Sequence, residues 1–122
     1  QHQDVAIELV AGSHDRWSGQ IPKTWQIKVH NQPLLEKPFI LCHYPESSPL
    51  NYGLAGHLHP GIVLKDRLRA DALRLPCFYF GREYGVLPPF GEFTGLTPLS
   101  PGPGDTLYVI GDGEVVALPS KL

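Results

Sequence analysis

The sequence predicts a chain of the α/β class that is mostly β by content and forms one domain over residues 1–122. The nearly continuous apolar run of residues 5–11, which ends at Gly12, is typical of a strand buried on both faces of an α/β sheet. The 13 Gly and 13 Pro residues indicate many turns. One stretch, residues 66–74, predicts a short helix, and its amphipathic pattern is poor.

Further strands are predicted from short apolar or alternating runs between turn residues. These strands cover residues 25–30, 38–42, 61–65, 75–81, 106–110 and 115–118. Gly111-Asp112-Gly113 predicts a hairpin turn between the last two strands. Residues 97–104 contain three prolines and two glycines, which predicts a surface loop without regular structure.

Composition excludes several classes of function. A hydrophobic fraction of 42% argues against wholesale disorder, and a net charge of −2 gives no global positive field that would attract nucleic acid. This charge does not argue against an enzyme that holds a phosphate through metal ions. No run reaches the about 18–20 apolar residues of a membrane span and no signal peptide opens the chain, so we expect no membrane partner.

The cysteines and the missing methionine bear on the origin of the chain. Cys42 and Cys77 lie in apolar runs, where buried reduced thiols are the ordinary interpretation, and this favours the cytoplasm. Because the sequence has no methionine, Gln1 is not a retained initiator. We therefore expect either a processed chain or a fragment.

Four of the six histidines follow strand-like runs: His14, His43, His57 and His59. Ligands in open α/β sheets bind at the carboxyl ends of strands, so three strand ends that each deliver histidine predict a shared metal site. On extended backbone His57 and His59 would lie about 6.5–7 Å apart and reach different ions of a pair separated by about 3.5–4 Å. A single histidine in such a sequence is more typical of an ordinary surface residue, and the prediction depends on the set.

The order of these segments resembles the last three signature motifs of the calcineurin-like metallophosphoesterases, and within them the ligase-associated DNA-damage-response endonucleases. The matching segments are Gly12-Ser13-His14-Asp15-Arg16, the lone His43, Gly56-His57-Leu58-His59-Pro60, residues 73–78 and residues 87–95. The resemblance extends from near residue 5 to residue 118 and covers the second half of the family's pattern. It implies part of a four-layer sandwich in which two mixed sheets face each other.

The resemblance also implies roles for individual residues. His14 would contact the substrate phosphate, Asp15 would orient its imidazole, and Arg16 would lie at the mouth of the site. Ser13, His43 and His57 would bind one divalent metal ion and His59 the other. Manganese is the first candidate, with zinc or iron as alternatives. The implied reaction is metal-dependent hydrolysis of a phosphoester, with DNA as a candidate substrate.

Two departures from the family pattern predict that the isolated chain is inactive. The family's opening Asp-x-His and Gly-Asp motifs are absent, and Ser13 stands where the family has an asparagine ligand. One alternative is a non-catalytic remnant that acts as an interaction or metal-binding module, and another is an unrelated small metal-binding β module. We expect the protein partner to be either another copy of this chain, in a homo-oligomer, or a missing N-terminal half.

Basic residues could also contact a nucleic-acid backbone. The cluster consists of Lys65, Arg67, Arg69, Arg74 and Arg82. Such a cluster is more often a solvated face, and Asp66 and Asp71 dilute it.

Overall fold

The computed structural model describes residues 4–65, 71–92 and 94–118. Its strands are β1 (Ile7–Val10), β2 (Ile27–His30), β3 (Leu34–Glu36), β4 (Phe39–Cys42), β5 (Tyr52–Ala55), β6 (Pro60–Lys65), β7 (Ala72–Phe80), β8 (Tyr84–Val86), β9 (Thr97–Pro98), β10 (Thr106–Gly111) and β11 (Glu114–Leu118). A single 3₁₀ turn, Lys23–Trp25, is the only helical element in this part of the chain. The described residues are therefore mostly β, and the absence of long helices among them is what the Gly and Pro content predicts.

The strands form two sheets. β1 and β2 pair in parallel as a two-stranded sheet. The other nine form a mixed sheet in which β11, β10, β7, β8, β5, β4 and β3 lie in that order, with β6 on β7 and β9 on β6. Mixed sheets of this kind are consistent with part of a metallophosphoesterase fold.

β4, β5 and β8 pair in parallel within the large sheet, and they position the candidate site. Cys42 lies opposite Ala55, so both strands end at the same edge. The connection between them passes close over β5, where a Cβ on Gly53 would come within 1.8 Å of the Glu46 carbonyl oxygen. Glycine at this position is therefore a packing requirement.

The core lies beneath β7 and β10. Ile62, Cys77, Leu107 and Val109 form a buried cluster, and Leu75, Tyr79 and Leu118 pack against it. Leu75, Cys77 and Tyr79 alternate along β7, so they share one face of the strand. Cys42 and Cys77 are buried free thiols, which confirms that prediction.

Several sequence predictions are wrong in detail. β1 is not buried on both faces, because Ile7 and Glu8 are exposed and β2 covers a single edge. Residues 72–74, predicted as the end of a helix, are strand because they pair with β6; residues 66–70 of that prediction lie outside the described part. Thr97 and Pro98 are not loop, since they pair with Pro60 and Gly61.

The hairpin between β10 and β11 is confirmed. Asp112 and Gly113 have φ values of 51° and 76°, as a two-residue turn with two left-handed positions requires. No helix in the described ranges has the length and hydropathy to cross a membrane.

Candidate metal centre

His43 and His57 converge because their strands are parallel neighbours in register. His43 directly follows β4, and His57 follows β5 after one glycine. The backbone N–H groups of Gly56 and His57 both donate to the His43 carbonyl, at 3.3 and 2.9 Å. This pair of hydrogen bonds prolongs the strand pairing beyond the sheet edge and fixes the two histidines relative to each other.

Three polar side-chain atoms meet at this edge. His57 Nδ1 lies 2.9 Å from His43 Nε2, and Ser13 Oγ lies 3.3 Å from the same nitrogen. Two imidazole nitrogens bound to one ion at about 2.1 Å and about 90° would be about 3.0 Å apart. The separation of the histidine nitrogens therefore fits two neighbouring ligands of one divalent cation.

Ser13 reaches the histidines from a different part of the chain. The segment after β1 turns sharply: Asp15 N–H donates to the Gly12 carbonyl at 3.2 Å, and Trp17 N–H donates to the His14 carbonyl at 3.3 Å. Gly12 N–H donates to Asp15 Oδ2 at 2.6 Å, which ties the turn together. A Cβ on Gly12 would lie 2.6 Å from the His43 ring, so glycine lets this turn approach the imidazole.

The surroundings of His43 favour its neutral form. Ser13 N–H donates to Nε2 at 3.2 Å, so this nitrogen carries a lone pair. Burial lowers the pKa of His43, and the nearby His57 lowers it further. Neutral imidazole is the form that binds metals, so His43 has the protonation state that a ligand needs.

Tyr44 completes the surroundings of the histidines, and sequence reasoning missed it. Its ring lies 4.7 Å from the His43 ring and 4.4 Å from the His57 ring, centroid to centroid. An aromatic residue directly after a candidate ligand is only a weak indication that it belongs to the site. Tyr44 packs against His57 because β4 and β5 are neighbours in the sheet, and the sequence alone does not show that pairing.

Among the described residues, the hydrogen bonds of His59 go to Thr94 and Thr97 and not to this cluster. Residues 57 and 58 form a turn and His59 has a left-handed φ of 47°, so the predicted extended His-x-His geometry is wrong. Its Nδ1 lies 3.2 Å from the Thr94 carbonyl oxygen, and its own carbonyl accepts from Thr97 N–H at 2.9 Å. His59 therefore joins the site to residues 94–97, a link that no sequence signal indicated.

The remaining predicted residues, His14, Asp15 and Arg16, are exposed on the turn after β1. Charges on Asp15, His14 and His59 influence the pKa of His43, so all three lie near it. The hydrogen bonds of the described residues do not join Asp15 to the His14 ring, and one Asp15 oxygen instead accepts from Gly12.

Among the described residues, no group of three His, Cys, Asp or Glu side chains is arranged to hold a metal ion. The donor set that fits a cation is thus two imidazoles and one hydroxyl, and hard divalent cations require more ligands than this. His30 lies on the other sheet, where its Nε2 is 2.5 Å from Glu8 Oε2.

Comparison with known proteins relates this chain to a nuclease. No protein-family model matches the sequence, and no curated protein matches it. The crystal structure of Pseudomonas putida nuclease MPE matches with a TM-score of 0.80 and 38% sequence identity. The match covers 96% of this chain and 56% of the nuclease, so this chain spans about half the length of that protein.

Proposed function

We propose that this chain contributes the histidine side of a metal-dependent nucleic-acid phosphodiesterase centre. The contact that supports this proposal most directly is the 2.9 Å separation of His43 Nε2 and His57 Nδ1 beside Ser13 Oγ. The similarity to a nuclease at 38% identity supports nucleic acid as the substrate class. Two mixed sheets of a four-layer sandwich remain the fold proposed for the complete domain.

Each residue has a proposed task. His43, His57 and Ser13 hold one divalent cation, with manganese as the first candidate and zinc or iron as alternatives, and His59 serves a second ion. A bound cation would neutralise phosphate charge and assist displacement at phosphorus. His14 contacts the phosphate, Asp15 holds the turn that presents His14, and Arg16 meets the phosphate from the exposed side of the turn.

The isolated chain should bind metal weakly and should not turn over substrate. Its described residues offer two imidazoles and a hydroxyl, whereas two-metal hydrolysis needs ligands for both ions. The alternative, a metal-binding or interaction module without catalysis, is favoured by the same small donor set. A test must therefore supply the missing part of the centre.

The decisive experiment uses a graft that joins this chain to the part of Pseudomonas putida nuclease MPE that the match does not cover, in place of the matching part. We expect the graft to cleave labelled single-stranded DNA with added Mn²⁺, and His57→Ala to abolish the cleavage. His30→Gln is the matched control, because His30 contacts Glu8 on the two-stranded sheet. A graft that folds and binds Mn²⁺ but never cleaves would favour the non-catalytic module.

Ser13→Asn in the same graft tests the metal ligand. An asparagine carbonyl reaches further than a serine hydroxyl and is a good neutral oxygen donor for hard cations. We expect Ser13→Asn to lower the Mn²⁺ concentration needed for half-maximal cleavage by roughly tenfold. A metal titration of cleavage at fixed pH measures this, and an unchanged or higher midpoint would show that Ser13 is not a weakened ligand.

A further inference from the structure

Tyr44 packs against both histidines of the candidate metal centre. Its ring centroid lies 4.7 Å from that of His43, at an interplanar angle of 78°, and 4.4 Å from that of His57, at 51°. The two imidazole rings meet each other at 4.7 Å and 70°. Tilted and edge-to-face arrangements are the ones that aromatic pairs favour. The three rings therefore form one cluster in which each ring contacts the other two.

The local sequence brings the Tyr44 ring to the side of the histidines. On a regular strand Tyr44 would point away from His43, because neighbouring residues alternate between the two faces. The chain instead bends at residues 43 and 44, directly after β4, and the two rings meet. Pro45 follows, and a proline restricts the residue before it to extended backbone conformations. The backbone that carries the ring therefore has few alternatives before any cation binds.

The imidazole of His57 needs a partner that fixes its orientation. Its backbone N–H donates to the His43 carbonyl at 2.9 Å, which holds the main chain and leaves the ring free to rotate about two side-chain bonds. Metal-binding histidines are normally oriented by a hydrogen bond from the second ring nitrogen to a carboxylate or a carbonyl. His59 has a contact of this kind, from Nδ1 to the Thr94 carbonyl oxygen at 3.2 Å.

The ring of His57 has a different environment. In the part of the chain that the structure describes, it makes a single hydrogen-bond contact, from Nδ1 to His43 Nε2. A cation shared by the two histidines would take the lone pairs of both nitrogens, so this contact cannot orient the ring once a metal is bound. The packing against Tyr44 does not involve those nitrogens and persists. An aromatic pair favours its packed arrangement by roughly twofold to tenfold.

We propose that Tyr44 is a positioning residue of the candidate metal centre, whose ring holds the His57 imidazole with Nδ1 toward the cation that His57 shares with His43. The inference rests on the proposed function and deepens it by naming the residue that orients one of the ligands. The ring carries this role and the hydroxyl does not, since the tyrosine hydroxyls that form hydrogen bonds among the described residues belong to Tyr52 and Tyr79. Phenylalanine should therefore replace Tyr44, and an aliphatic side chain should not.

The position of Tyr44 allows this role to be separated from a contribution to folding. Tyr44 is 54% exposed, and the buried cluster of the large sheet lies beneath β7 and β10. Phe39 provides the matched control, because it carries a ring that is 40% exposed at the other end of the same strand. Loss of either ring should change the free energy of unfolding by a similar small amount, and only loss of the Tyr44 ring should change metal binding.

The first measurement is a Zn²⁺ titration of the full 122-residue chain, followed by NMR of ¹³C-labelled histidine rings. Zinc binds imidazole nitrogen and is diamagnetic, so the His43 and His57 signals give the dissociation constant directly. We expect Tyr44→Leu to raise this constant roughly tenfold and Tyr44→Phe to change it by less than about twofold. Phe39→Leu should leave it unchanged.

The second measurement uses the metal-free chain. The Hα–Hβ couplings of His57 report whether its side chain occupies one rotamer or several. The unmodified chain and Tyr44→Phe should show one dominant rotamer, and Tyr44→Leu should show an average. Urea unfolding of Tyr44→Leu and Phe39→Leu, with similar midpoints, separates this loss of orientation from a general loss of stability.

Several results would overturn the proposal. These are equal Zn²⁺ affinity in Tyr44→Leu and Phe39→Leu, a single His57 rotamer in metal-free Tyr44→Leu, a Tyr44→Phe variant that behaves like Tyr44→Leu, and an unmodified chain whose His43 and His57 signals do not respond to Zn²⁺. Tyr44-dependent Zn²⁺ binding without cleavage by the graft would contradict the proposed function alone. Cleavage by the graft together with Zn²⁺ binding that does not depend on Tyr44 would contradict this inference alone.

Discussion

At the scale of single residues, Gly12 controls the distance between the turn after β1 and the His43 ring. A methyl group in its place would meet His43 Cε1 and Nδ1 at 2.6 Å, closer than real Cβ contacts come. The ring is a movable side chain, so the imidazole would shift before the strands would. We therefore expect such a change to affect the candidate metal centre more than it affects the fold.

Gly12→Ala should therefore weaken divalent metal binding by roughly 10–100-fold while the free energy of unfolding changes little. Titration calorimetry with Mn²⁺ or Zn²⁺ and urea unfolding measure the two quantities. Gly56→Ala is the matched control, because a Cβ there would meet nothing within 4 Å. Equal losses of affinity in both variants would show that the Gly12 contact does not position His43.

At the same scale, the sequence predicts part of the site. His43 and His57 could be found because each follows an apolar run, and the parallel pairing of β4 with β5 then joins them. Tyr44 and Thr94 could not be predicted from the sequence. Tyr44 contacts the site through ring packing, and Thr94 contacts His59 through a backbone carbonyl 35 residues away in the chain. The left-handed backbone of His59 has no signature in Gly-His-Leu-His-Pro.

At the scale of elements, local signals predicted local structure and missed pairing between distant segments. The β10–β11 hairpin followed from Gly-Asp-Gly, whose left-handed positions belong to the turn itself. β3 and β8 have three residues each, too few for a periodic pattern. β9 exists only because Thr97 and Pro98 pair with residues far away in sequence.

Tyr79 ties the central strand β7 to the loop before β10. Its hydroxyl donates to Asp105 Oδ2 at 3.2 Å, and Gly102 N–H donates to the same oxygen at 2.8 Å. Burial first, and then the hydrogen bond to Asp105, raise the pKa of Tyr79 to about 12. The folded chain thus keeps this phenol neutral at pH values where an unfolded tyrosine ionises, near pH 10.

Stability should therefore fall as the pH rises from 10 toward 12. The contribution of the neutral Tyr79 is present in full below pH 10 and is lost as the pH passes its folded-state pKa. Tyr79→Phe should flatten this fall in urea unfolding experiments across that range. A residual slope of the same sign remains, because burial also raises the pKa of Tyr52 and of the two thiols.

Tyr44→Phe serves as the control for this experiment, since its ring is 54% exposed and lies at the histidines. Its unfolding curve should keep the full alkaline slope. A Tyr79→Phe variant with an unchanged slope would show that ionisation of Tyr79 contributes nothing to the alkaline transition.

At the scale of the whole molecule, the core is small and much apolar surface is exposed. Within the described residues, the buried hydrophobic side chains are Cys42, Ala55, Ile62, Cys77, Val86, Leu107 and Val109. On the two-stranded sheet, Ile7 is 50% exposed and Val29 is 42% exposed. Parallel sheets normally have both faces covered, and this one does not within the described residues.

Replacing both Ile7 and Val29 with lysine should reduce binding of a hydrophobic dye and change the free energy of unfolding by less than about 0.5 kcal/mol. Dye fluorescence and urea unfolding of the same samples give both values. Leu107→Lys is the contrasting variant, because a charge at this buried position should unfold the chain. A large loss of stability in the Ile7 and Val29 variant would show that this sheet is already packed.

The proposed metal centre requires that His43 and His57 bind the same cation, and paramagnetic NMR measures this. With ¹³C-labelled histidine rings assigned by single His→Gln variants, substoichiometric Mn²⁺ should broaden the His43 and His57 signals first. His14 and His59 should follow at higher Mn²⁺, and His30 should stay sharp. Broadening of His30 together with His43, or of His57 without His43, would contradict a shared metal centre at the ends of β4 and β5.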